Sequence, residues 1–159
     1  MLLVLAACGG GNSTNNQSNN QIPPAPQFST VQVNVGDSPS DRVMAFATNI
    51  TSMTLNNSNG TTTPVISGST PMEMMHLAGT MQPINVLSIP QGTYTAASIT
   101  MSSTVVTFMD PTTHTIMQKT VARPSTANVS FSSPMTLGST PMMVSFDMDM
   151  SNSVAIDSL

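Results

Sequence analysis

The sequence predicts an all-β protein, a Greek-key-type β-sandwich preceded by an N-terminal segment that stays outside the fold. Three observations carry that expectation. From Phe28 onwards, short runs rich in β-branched and apolar residues recur about every 8–12 residues, separated by Gly, Pro and Asp. Inside a run such as Val31-Gln32-Val33-Asn34-Val35, apolar and polar residues alternate, which is the period of a half-buried strand. No stretch of about ten or more residues repeats its apolar positions every 3.6 residues, so no long amphipathic helix is expected.

Taken in order, residues 1–7 (MLLVLAA) are apolar and end at Cys8, the single cysteine. Leu5-Ala6-Ala7-Cys8 resembles the lipobox of bacterial lipoproteins. That resemblance implies a signal peptide remnant over 1–7 and a covalent lipid on Cys8, palmitate included, with no other cofactor. The apolar stretch is short and carries no Lys or Arg, whereas signal peptides open with a positive region. Met1 is therefore expected to lie inside the true signal. Residues 9–27 carry no charge and are rich in Gly, Asn, Gln, Ser and Pro. With Cys8 they read as a flexible linker reaching roughly 25 Å, stiffer at Ile22-Pro23-Pro24-Ala25-Pro26. Gly9 takes the place of the Asp that retains lipoproteins in the inner membrane. By resemblance to lipoprotein sorting, the expected location is the cell envelope, on the outer membrane where there are two.

The sandwich is expected over residues 28–159. Strands are predicted at 28–35, 44–55, 61–67, 71–77, 84–89, 93–102, 105–109, 115–121, 127–131 and 142–150. The breakers are the turn cluster at 36–41, the loop at 56–60, Gly68, Gly79, Pro90-Gln91-Gly92, Asp110-Pro111, Pro124, Pro134 and Pro141. Residues 43–47 have room for one helical turn. Ser-Thr-Pro-Met occurs at 69–72 and again at 139–142, where Pro would open a strand without costing a ladder hydrogen bond. Val154, Ile156 and Leu159 leave space for only one more short strand, so Leu159 is expected not to be the natural domain end.

Composition narrows the function. Three basic residues against seven acidic ones give a net charge of -4, and 6% of residues are charged where about 25% is usual. That excludes a nucleic-acid partner, whose affinity grows with phosphates neutralised. It also excludes a polybasic membrane patch. The membrane is instead expected as a partner through the lipid on Cys8. The chain's 15 Met, single Tyr and lack of Trp predict a core packed with methionine in place of leucine.

Three motifs suggest a family. Val33-Asn34-Val35-Gly36-Asp37-Ser38-Pro39 resembles a first strand ending in a D-[AS]-P turn, and Ile50-Thr51-Ser52-Met53-Thr54-Leu55 the second strand. Glu73-Met74-Met75-His76-Leu77, followed by Pro90-Gln91-Gly92-Thr93-Tyr94, is similar to a strand and then a P-x-G-x-Y turn. In this order they resemble the DUF4382 family of lipid-anchored envelope proteins, over residues 30 to 150. The resemblance implies a prealbumin-like sandwich and transfers no catalytic residue. Asp37 and Pro39 would build the first turn, Pro90 and Gly92 the second. Tyr94 would bury its ring while its hydroxyl pins a neighbouring loop.

Two clusters carry candidate metal chemistry. On one strand, Met72, Met74 and His76 would share a face and offer thioether and imidazole donors to Cu(I). Asp147 and Asp149 would project together about 6.5–7 Å apart and, with Asp37, Asp41 or Asp110, offer oxygen donors to calcium. Gly36-Asp37-Ser38 superficially matches an esterase nucleophile block, but no histidine base or following helix is predicted beside it. The reading from sequence is a non-enzymatic, lipid-anchored envelope module that binds an envelope protein or glycan, or forms a structural part. The alternative is an extracytoplasmic Cu(I)-binding protein.

Overall fold

The computed structural model describes residues 24–38 and 40–154, and its strands start at Phe28. Cys8, the linker up to residue 23, Pro39 and residues 155–159 lie outside the described residues, as do the expectations placed on them. The fold is all-β, with two sheets packed as a sandwich. Val31, Val33 and Val35 alternate along β1 (Phe28–Ser38) and are sealed in the core. β1 is the central strand of its sheet. β4 (Met81–Pro90) flanks it antiparallel and β8 (Met142–Asp149) parallel.

The second sheet has the order β3 (Thr62–Glu73), β2 (Val43–Asn57), β5 (Gly92–Met109). The far edge of β5 is shared. β7 (Ser125–Leu137) pairs with its first half and β6 (Ile116–Val121) with its second. Phe46, Ile50, Met53 and Leu55 of β2 meet Tyr94, Ala97, Met101 and Val106 of β5 in the core. Among the described residues five methionines are buried (Met53, Met72, Met74, Met101 and Met150), so methionine supplies part of the packing as its abundance predicts.

Two pairs of predicted strands fuse: Gly68, read as a breaker, is a bulge, and so is Ser103, in the gap between the strands predicted at 93–102 and 105–109. Gly68, at φ +102, sits in β3 where the register against β2 jumps from Ile50↔Thr70 to Ser52↔Ser67. Ser103, at φ 52, marks the point where β5 changes partner from β7 to β6. A bulge shifts the side-chain alternation by one residue. In β2 itself the extra residue against β5 is Thr51, between Ile50↔Met101 and Ser52↔Thr100, and it lets Met53, rather than Ser52, follow Ile50 into the core.

Prolines follow the same logic. Pro64 and Pro71 lie inside β3, Pro83 in β4 and Pro134 in β7, each an edge strand with a side that needs no N–H donor. The first Ser-Thr-Pro-Met therefore sits within a strand and only the second precedes one. The helical turn expected at 43–47 is the start of β2.

The P-x-G-x-Y turn forms as predicted. The fully buried Tyr94 donates its hydroxyl to the Pro90 carbonyl at 2.8 Å and lies 3.4 Å from the Thr63 hydroxyl. Gly92, at φ 156, allows Asn57 to press close, since a Cβ there would stand 2.6 Å from Asn57 Nδ2.

Candidate functional site

The methionine–histidine cluster does not share a face. β3 ends at Glu73, whose carboxylate accepts from the N–H groups of Phe46 and Met75 and caps a 3₁₀ turn, Met74–Leu77. A 3₁₀ turn rotates successive side chains by about 120°. Met74 and Leu77 are thus buried while His76 points to solvent, and Met72 is buried at the end of β3. The strand alternation expected for Met72, Met74 and His76 fails for this reason, and with it their shared Cu(I) geometry. The outcome is measurable: Met74→Ala is expected to cost about 2–5 kcal/mol as a core truncation. His76→Ala is expected to change stability by less than about 0.5 kcal/mol in urea unfolding.

The acidic residues gather at one corner but divide between two faces. Parallel pairing sets Asp37 opposite Met148, with Gly36 opposite Asp147 and Ser38 opposite Asp149. Directly paired residues share a face, so Asp147 and Asp149 lie together on the exposed side and Asp37 turns to the other. Asp147 accepts from the Ser38 hydroxyl at 3.1 Å. Asp149 caps a short helical turn, Met150–Ser153, accepting from Asn152 N and Nδ2. Among the described residues no group of three or more His, Cys, Asp or Glu side chains could hold a metal ion. Of the other two acids weighed for calcium, Asp41 is exposed in the turn before β2. Asp110 accepts from Thr112 and Thr113 N–H within its own turn, which holds its carboxyl below the usual range.

Asp37 corrects a second expectation. It is no turn former. It is the penultimate residue of β1, its carbonyl accepts from Gly79 N, and it bridges to Ala78. Only 3% of its surface is exposed, and neither carboxylate oxygen has a hydrogen-bond partner among the described residues. Burial, then the charges of Asp147 and Asp149, push its carboxyl up to about 6. Ser38, the other half of the esterase-like string, spends its hydroxyl on Asp147, and the chain turns from there into β2.

One concave feature was not visible in the sequence. A cleft of about 850 Å³ opens between β8 and the inner face of β5 and β7. Phe46, Met101, Val106 and Phe146 line its depth, Val129 and Phe131 one wall, and Asp147 and Asp149 one end. Among the described residues the first sheet ends at β8, whereas β6 and β7 extend the second sheet past it. β6 is exposed throughout and β7 is almost wholly so. Val129 consequently stays 52% exposed although it faces the cleft.

No family model, curated protein or solved structure matches the chain significantly. The likeness to the DUF4382 family accordingly rests on the three motifs quoted for it. Among the described residues no helix is long and apolar enough to cross a membrane.

Proposed function

We propose that this chain is a lipid-anchored binding module of the bacterial cell envelope, held by a lipid on Cys8 and without catalytic chemistry of its own. The observation that carries the reading is the cleft. Its volume falls within the 300–1,000 Å³ typical of ligand sites, and apolar side chains dominate its lining. The lipobox-like Leu5-Ala6-Ala7-Cys8 and the uncharged linker support the anchor. A tether of roughly 25 Å would hold the sandwich near the bilayer while leaving the cleft free to turn. The outer membrane is favoured by Gly9 after the cysteine.

Metabolic labelling tests the anchor. Cells expressing the full-length gene with radiolabelled palmitate are expected to label the protein, and the Cys8→Ser variant to lose the label and leave the membrane fraction. An unlabelled native protein, or label that persists in Cys8→Ser, removes the anchor from the reading.

A further inference from the structure

We propose that the cleft takes up an extended peptide strand, apolar at alternate residues and basic at the end that lies beside Asp147 and Asp149. The proposal deepens the reading of the chain as a binding module and is independent of the lipid on Cys8.

The first support is the way β8 meets the cleft. Residues 144–149 line it consecutively. Neighbouring residues of a strand face opposite sides, so a surface touching all six is the strand's edge and not one of its faces. Among the described residues β8 pairs only with β1, so its cleft-side edge carries no strand. An edge of unpaired backbone groups is a template for strand addition.

The second support is the opposite wall. Alternate residues of β7 (Ala127, Val129 and Phe131) face the cleft, with Ile99 and Met101 of β5 beside them in the same sheet. A strand added to β8 would send every second side chain onto this wall and cover the half of the second sheet that the first leaves open. Six residues spanning about 20 Å match the stretch of β8 that borders the cleft.

The third is charge. Among the described residues the only charged ones in the lining are Asp147 and Asp149, both at the end of β8. An acyl chain would use the apolar wall but not the β8 edge, and an anionic lipid head would be repelled by these two carboxylates. A strand running antiparallel to β8, the more stable pairing, would place its N-terminal residues there. A Lys or Arg at its start therefore completes the match.

Fluorescence anisotropy with the full chain carrying Cys8→Ser tests this. The probe is the labelled peptide Lys-Lys-Val-Thr-Val-Thr-Val-Thr, with two versions N-methylated at alternate amides, one residue out of step with each other. The unmethylated peptide is expected to bind saturably. One methylated version should keep that affinity, and the other should lose about tenfold or more, since only one set of amides faces β8. Val129→Glu and Asp147→Lys should each weaken binding by about tenfold, and the native exposure of both residues spares the fold. Equal affinity of the two methylated peptides, or no effect of Val129→Glu, overturns strand addition. So does failure of the peptide to bind while dodecanoate binds in a Val129-dependent way, which assigns the cleft to acyl chains. Sedimentation showing a dimer of the chain alone that Val129→Glu dissolves assigns it to a second copy and overturns it equally.

Discussion

Asp37→Asn is expected to stabilise the protein by about 2 kcal/mol at neutral pH and to leave it nearly unchanged below about pH 4. Asp37 is buried, both carboxylate oxygens have no partner among the described residues, and burial, Asp147 and Asp149 raise its carboxyl from 3.8 to about 6. The folded state therefore binds this proton more tightly than the unfolded chain does. Stability is greatest with the group protonated, below the unfolded value of 3.8, and falls as pH rises through about 6. Above that it levels off with the buried charge as a standing penalty. The shift alone converts to about 3 kcal/mol, and the cost of burying the unpartnered Asn amide gives part of it back. Urea unfolding across this pH range reads the effect directly. Asp110 acts with the opposite sign and in a separate window: its lowered pKa contributes stability above 3.8 that is lost at lower pH. A difference between Asp37→Asn and the native chain that does not change between pH 4 and 7 would show that Asp37 carries no buried charge.

Tyr94→Ala is expected to cost about 3–5 kcal/mol, enough to unfold a marginally stable domain. The ring is fully buried in the core cluster, so its loss leaves a cavity there. Tyr94→Phe separates the ring from the hydroxyl. It keeps the packing and removes the 2.8 Å bond to the Pro90 carbonyl, for an expected cost of about 1 kcal/mol. Thermal unfolding of both variants checks the ordering. If Phe proves as damaging as Ala, the hydroxyl and not the ring holds the turn.

The amino-acid sequence by itself determined the fold class, the valine face of β1 and the turn at Pro90–Tyr94. All three depend on local rules: side-chain alternation along a strand, the freedom of glycine, and a tyrosine that reaches back only a few residues. The same local rules misjudged Gly68, which reads as an interruption, and left Ser103 in a gap between two strands that are one. A bulge and a break look alike until the partner strand is in place. They misjudged Met72, Met74 and His76 as well, because the change from strand to 3₁₀ turn is set by the Glu73 carboxylate reaching the N–H of Phe46 on β2. Asp37 shows the limit most sharply. Gly36-Asp37-Ser38-Pro39 has the chemistry of a turn, yet Asp37 stays in a strand because β8, from the far end of the chain, runs parallel beside it. Its burial and raised pKa follow from that long-range pairing. The cleft too was decided only in three dimensions. It arises because β5 divides one edge between β6 and β7 while, among the described residues, the opposing sheet ends at β8. Alternation along β7 is the same whether its inner face is covered or open, and only the number of strands in the facing sheet makes the difference.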